Sequence, residues 1–319
     1  MDSTAPSWYI NNTEVEEIYY IENLSCLTMF NFLTIMVAVV GLAGNSIVLW
    51  LLAFHIHRNA FSVYVLNLAG ADFLQLCSQI VYSLSCVLHV YISKISFFVF
   101  IFIFAYFAGL CMIAAINVER CLSVIWPIWY HCQRPRHTSA IVCVLLWTFC
   151  LLLSLLLCLG CGLIFTDFKY YFCETFMFIT TAFIIVLTVV PSVSTLALLV
   201  KIICGSHRVP VTRLYITIAL TVVVFIIFGL PFGICIFLLE SFDVFQSIIS
   251  PKTSEIMLFL SCINSCANPI IYFLVGSIRH CRFQWQSLKL LLQRAMQDTP
   301  EEERGERGTS QRSGELETI

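Results

Sequence analysis

Asp72 is the only Asp, Glu, Lys or Arg among the 35 residues between Arg58 and Lys94. A carboxylate in such surroundings needs a cation, a proton or a polar cluster to offset its desolvation. Asn45, Asn264, Ser265 and Asn268 lie in equally apolar stretches and are candidates for that cluster. Their plainer role is hydrogen-bonded glue between helices. Glu119 and Arg120 form an adjacent acid–base pair at the end of another apolar run. Such a pair at a water boundary is a switch whose energy depends on hydration. Its plainer reading is an interfacial ion pair worth under about 1 kcal/mol. Catalytic patterns do not emerge. The chain has no HExxH, no GxSxG and no acidic partner for Asp72, so a membrane enzyme is not supported.

The elements that carry these residues follow from composition. Of 319 residues, 60% are hydrophobic and 11% charged. A soluble domain carries roughly 25% charged and 45–50% apolar residues, so this chain could not cover a water-facing surface. An ordinary globular enzyme and a disordered chain are excluded. A net charge of −2 with no basic face excludes a nucleic-acid partner. An integral membrane protein in a lipid bilayer remains.

Charge-free runs locate the membrane segments, since a helix needs about 20 apolar residues to cross a ~30 Å hydrocarbon core. There are 35 such residues between Glu22 and Arg58, and 30 between Arg136 and Asp167. The pattern predicts seven spans at 28–54, 61–88, 96–124, 139–164, 176–204, 213–239 and 255–275. These runs are too long for the alternating strands of a barrel. The expected fold is an all-α membrane protein, a seven-transmembrane helix bundle. Pro191, Pro231 and Pro269 fall inside spans 5, 6 and 7, where each removes a backbone bond and kinks its helix.

Lys and Arg set the orientation. Arg58, Arg134, Arg136, Arg208, Arg213, Arg279, Arg282 and Lys289 fall on one side, against Lys94, Lys169 and Lys252 on the other. The N-terminus is therefore expected outside the cell and the C-terminus in the cytoplasm. Residues 1–27 form an extracellular segment with glycosylation sequons at Asn11 and Asn23. No cleavable signal is visible at the start, so span 1 is expected to act as a signal anchor. Residues 276–296 interleave basic and apolar positions, which suits a short amphipathic helix on the membrane surface. Cys281 is placed there for palmitoylation, with an unmodified thiol equally compatible. Residues 297–319 are acidic and poor in large apolar residues, as expected of a disordered tail.

Several motifs occur together on these spans: Gly44-Asn45, Asn67-Leu68-Ala69-Gly70-Ala71-Asp72, Glu119-Arg120-Cys121, Trp147, and Asn268-Pro269-Ile270-Ile271-Tyr272. In this order, across almost the whole chain, they resemble the rhodopsin-like (class A) G-protein-coupled receptors. Arg58-Asn59-Ala60-Phe61, Trp126-Pro127-Ile128-Trp129-Tyr130, Gly229-Leu230-Pro231-Phe232-Gly233 and the segment from Leu288 to Pro300 resemble the Mas-related receptors, in particular the rodent-type B subfamily.

The resemblance implies roles. Residues 28–275 would be the receptor domain, in the plasma membrane. Arg120 would pair with Glu119 at rest and release to admit a heterotrimeric G protein of the Gq/11 or Gi/o type, with Asn268, Pro269 and Tyr272 rearranging alongside. Asn45, Asp72, Asn264, Ser265 and Asn268 would form a polar core that holds sodium in many relatives. Gly109 stands where many relatives have a span 3 hydroxyl, which argues against sodium; no other cofactor or metal is expected. Gly229 replaces a span 6 Trp, and span 5 has no Tyr to meet Arg120.

Cys161 and Cys173 flank the span 4–span 5 connection, where an oxidising compartment and short separation permit a bridge; the resemblance implies that they pair. Cys26 and Cys86 are the candidates for a second bridge.

An extracellular peptide or small-molecule ligand is expected, with Phe102, Tyr106, Tyr170, Tyr171, Phe172, Glu174, Met177 and Phe232 as candidate contacts. Phe102 stands where amine receptors carry Asp, and Cys262 where opsins carry the retinal Lys. Leu157 and Met177 replace the acidic pair that some relatives use for cationic peptides. A hydrophobic or weakly charged ligand is the expectation, in a receptor of sensory neurons or related cells. The rival class is a transporter or channel, against which stand the absence of an internal repeat and of charges facing a pore.

Overall fold

The structure is a computed structural model that describes residues 7–56, 59–88, 95–135, 137–161, 173–204, 213–234, 251–277, 289–290 and 292–293, with the backbone alone over residues 7–26 and at several further helical positions, among them 174, 198–199, 201–204, 213–215 and 276–277. Helix α1 runs Ser7–Trp50, α2 Ala60–Val87, α3 Ile95–Ile125 and the short α4 Pro127–Cys132. They are followed by α5 Thr138–Gly160, α6 Cys173–Cys204, α7 Arg213–Val224 and α8 Pro251–Ser277. No strand occurs among the described residues. Among the described residues, seven helices are long and apolar enough to cross a membrane. They match the seven sequence-predicted spans within a few residues where their ends are described: span 4 ends at Gly160, the helix of span 5 reaches Cys204 as expected, and the expected end of span 6 lies outside the described residues.

Local chemistry explains where the helices begin. Asn59 caps α2: its side chain accepts from the Ser62 N–H at 2.7 Å, and the Ser62 hydroxyl accepts from the Asn59 N–H at 2.8 Å. Pro127 opens α4 at a position where a missing N–H costs nothing. Two π-helical turns were not foreseen. One, Leu51–His55, closes span 1; the other, Phe225–Gly229, lies in the middle of span 6. Helix continues through residues 230–234, so Pro231 follows the π turn rather than breaking the span.

α2 packs against α1 and α3, and α8 against α1, α2 and α7. Small residues let span 1 approach span 7 closely. A Cβ at Gly41 would collide with Cys266, and one at Gly44 would stand 2.9 Å from Pro269 Cγ. Trp147 of span 4 donates from Nε1 to Asn67 Oδ1 of span 2 at 2.8 Å, so two of the sequence motifs meet. The outward faces of spans 4 and 5 expose Val144, Leu145, Val193 and Leu196, as a lipid boundary requires.

Cys161 and Cys173 are joined by a disulfide, Cα to Cα 4.4 Å. The second bridge, from Cys26 to Cys86, does not form, because Cys86 is a free thiol. Of the expected surface helix 276–296, residues 289–290 and 292–293 are helical and Leu292 is buried in the core. The side chains of Asn11, Asn23 and Glu174, together with Cys281, Tyr170, Tyr171, Phe172 and the tail 297–319, lie outside the described residues.

Candidate functional site

Three groups of side chains lie along the bundle. The first surrounds a cavity of about 200 Å3 at the end where span 2 finishes and span 3 starts. Ser78, Gln79 and Tyr82 of span 2, Phe98 and Phe102 of span 3, Phe232 of span 6 and Leu258 of span 7 contribute to its wall. Phe102 and Phe232 meet edge to face at 5.0 Å, and Tyr106 packs against both, 6.5 Å and 5.2 Å from them. Beneath them, the Tyr106 hydroxyl donates to the Gly229 carbonyl at 3.1 Å. Gly229 ends the π turn, where the regular helical bonding pattern is interrupted. Glycine is required there: a Cβ would stand 2.6 Å from Phe225 Cδ2 and 3.1 Å from Asn264 Cγ.

The second group is the polar core. Asn268 Nδ2 donates to Asp72 Oδ2 at 2.7 Å, across spans 7 and 2. Asn45 Nδ2 donates to the Gly41 carbonyl at 2.9 Å and to the Ser265 carbonyl at 3.1 Å. Asp72, Asn45, Ser265 and Asn268 are buried. Asn264 is buried beside the π turn of span 6, and at Gly109 a Cβ would find only Leu68 at 4.0 Å.

The third group closes the opposite end. Glu119 Oε1 accepts from Arg134 Nη2 at 2.5 Å and from the Tyr64 hydroxyl at 2.9 Å. Arg134 also donates to Ser139 at 2.5 Å, and its guanidinium lies 5.2 Å from the Tyr130 ring centre. Partial burial of Arg134 opposes its charge, but the hydrogen bond and charge of Glu119 more than offset this and hold its pKa above the ordinary value. Arg120 is buried and lies over the Phe61 ring at 4.5 Å. The partners of Glu119 Oε1 thus come from spans 2 and the span 3–span 4 loop. A small cavity nearby is lined by Phe61, Asn117, Thr217, Thr221 and Tyr272. Thr195 of span 5 donates to Asn117 Oδ1 at 2.8 Å, tying the span that lacks Tyr to span 3.

Of the candidate ligand contacts, Phe102 and Phe232 line the larger cavity and Tyr106 lies against both. Met177 is buried in the hydrophobic core, as is Leu157. Sequence reasoning missed Arg134, Tyr64, Gln79 and Glu255. In the sequence Arg134 bears only on orientation, and Tyr64 and Gln79 sit in span 2 outside any motif. Glu255 marks only the start of span 7 in the sequence.

A cavity at one end, a buried polar core and a charged cluster at the other end define a receptor-type bundle. Residues 44–272 match the family described as 7 transmembrane receptor (rhodopsin family). The chain is 68% identical over its full length to all of the mouse (Mus musculus) Mas-related G-protein coupled receptor member B4, and equally to all of mouse member B5. It is 50% identical to human (Homo sapiens) Mas-related G-protein coupled receptor member X2, over 96% of this chain and 95% of that one. The chain belongs to the Mas-related G-protein-coupled receptors of the rhodopsin family.

Proposed function

We propose that this receptor stands in the plasma membrane with its N-terminus outside, binds a hydrophobic or weakly charged extracellular ligand in the Phe102–Phe232 cavity, and activates Gq/11 or Gi/o proteins. By its family it serves sensory neurons or related cells, in pain, itch or touch. One observation carries the reading: Tyr106, packed against Phe102 and Phe232 of the cavity wall, bonds the Gly229 carbonyl of span 6. A ligand that displaces Phe102 or Phe232 moves Tyr106, and Tyr106 holds the carbonyl at the end of the π turn. The turn adjoins Asn264, and the same span 7 carries Asn268, Pro269 and Tyr272 down to the Arg120 end. Release of Arg134 from Glu119 then frees Arg120 to meet the G protein.

In this reading Asp72 is satisfied by Asn268 and takes no sodium. The facing group from Asn268 is an N–H donor rather than an oxygen ligand, and Gly109 supplies no hydroxyl.

Calcium and cAMP assays in transfected cells test the proposal, with wild type and Arg120→Ala both quantified at the surface. A response to hydrophobic small molecules that is lost in Arg120→Ala is the expected result. Responses confined to polycationic peptides would overturn the ligand reading.

A further inference from the structure

The polar side chains around the larger cavity are already committed or covered. The Ser78 hydroxyl donates within its own helix, 2.8 Å from the Gln75 carbonyl and 3.2 Å from that of Leu74. The Tyr82 hydroxyl donates to Glu255 Oε1 at 3.2 Å, and Glu255 is not part of the wall. Gln79 Nε2 donates to the Leu258 carbonyl at 3.0 Å. Gln79 Oε1 has no hydrogen-bond partner, but protein atoms cover it, so an occupant of the cavity does not reach it. The rest of the wall is carbon, from Phe98, Val99, Phe102, Ile103, Phe232 and Leu258. Among the described residues no Asp, Glu, Lys, Arg or His lines the cavity.

We propose that the cavity selects an uncharged hydrocarbon, a single ring with a short alkyl arm, and holds it without any hydrogen bond. This rests on the reading of the cavity as the ligand site and names the ligand class. The physical reasons are three. The first is dehydration. A hydrocarbon gains the free energy of leaving water, whereas a hydroxyl gives up its water and finds no partner. An ammonium or a carboxylate would be an unpaired ion in an apolar site, which excludes both. Water is a poor competitor, because an ordered water needs about two to four polar partners. The second is size. A dry cavity of about 150 Å3 lined by Leu, Ile and Phe takes benzene. This one measures about 200 Å3, enough for the ring and an arm, and falls below the roughly 300–1,000 Å3 of drug-sized sites. The third is shape. Phe102 and Phe232 meet edge to face at 5.0 Å, and a ring beside them extends that preferred arrangement. Phe102, at the span 3 position, thus puts carbon where an amine would need a carboxylate.

The test is thermal stabilisation of the full-length receptor in lipid nanodiscs. The first set of ligands shares one ring and an arm of equal length: propylbenzene, 2-phenylethanol, 2-phenylethylamine and phenylacetate. Propylbenzene is expected to stabilise at the lowest concentration, the alcohol at about tenfold higher, and the amine and the acid not at all. The second set lengthens the arm from methylbenzene to heptylbenzene. Affinity is expected to rise about fourfold per methylene and then to stop at the length that fills the cavity. Uptake into the bilayer rises with length and has no such stop. Val99→Trp fills the space and is expected to abolish the effect of propylbenzene. Leu258→Ala enlarges the space and is expected to move the cut-off to longer arms, a gain that a damaged fold would not produce. Amine or acid binding as tight as that of propylbenzene, a series without a cut-off, or the same cut-off in Leu258→Ala overturns the proposal. The readout needs no G protein. Hydrocarbon binding with this selectivity, in a receptor whose agonist responses survive Val99→Trp, would sink the cavity as the activating site and support the hydrocarbon site itself.

Discussion

Arg134, fifteen positions after Glu119 and outside the membrane span, holds the Glu119 carboxylate at 2.5 Å while Tyr64 donates to the same oxygen. The two side chains retain 8% and 10% of their exposure, so this is a buried pair rather than a solvated one. Its counterpart Glu119 Oε2 has no hydrogen-bond partner, so the carboxylate depends on this one oxygen.

Removing one member of a buried pair costs about 3–5 kcal/mol, and here that cost falls on the resting arrangement. Arg134→Gln is therefore expected to raise ligand-independent signalling several-fold. Basal calcium and cAMP output, normalised to receptor at the cell surface, measures it. An unchanged basal level would mean that Arg134 is a loop anchor and nothing more.

Tyr106→Phe keeps the ring contacts with Phe102 and Phe232 and removes only the bond to the Gly229 carbonyl. A single buried hydrogen bond is worth about 1 kcal/mol. The variant is expected to fold, to melt a few degrees lower, and to shift agonist potency several-fold. A potency equal to wild type, in the same cells and at equal surface density, would remove Tyr106 from the route between cavity and span 6.

At Gly44 the space is already taken, since a Cβ would stand 2.9 Å from Pro269 Cγ. Gly44→Val forces span 1 away from span 7 or distorts the proline turn, at about 1–3 kcal/mol for overpacking. Lower surface expression and a lower melting temperature of the purified receptor are expected. Gly70→Ala is the control, because nothing lies within 4 Å of a Cβ there.

The disulfide closes a short loop of sequence separation 12. On the loop-entropy estimate it contributes roughly 3 kcal/mol. Cys161→Ser, Cys173→Ser and the double variant should lose the same melting temperature, measured without reductant. A double variant that is markedly worse than either single one would show that the cysteines also act apart from their bond.

Much of this architecture is legible because lipid imposes simple demands. A span must be apolar over a fixed length and must satisfy its own backbone. The charge-free runs therefore gave seven segments whose ends the structure moves by only a few residues in spans 1, 2, 3 and 7. Asp72 and Asn268 were legible as partners for the same reason: in an apolar setting each has few places to go, and they meet at 2.7 Å. The π turn at Phe225–Gly229 has no such signature. Its last carbonyl is taken up by Tyr106, arriving from another helix, and periodicity along one segment carries no record of that.

The sequence by itself determined the class of solvent, the number of spans and the small set of polar residues that lipid makes costly. It also determined the family, through motifs such as Glu119-Arg120-Cys121 and Asn268-Pro269-Ile270-Ile271-Tyr272. Only the tertiary structure decided which groups are partners: Arg134 for Glu119, Tyr106 for Gly229, Tyr82 for Glu255. The physical reason is that burial and hydropathy are properties of a segment, whereas a hydrogen bond is a property of two side chains brought together by packing. Gln79 is the clearest case: as one glutamine in span 2 it says nothing, and only packing brings its amide to the Leu258 carbonyl of span 7.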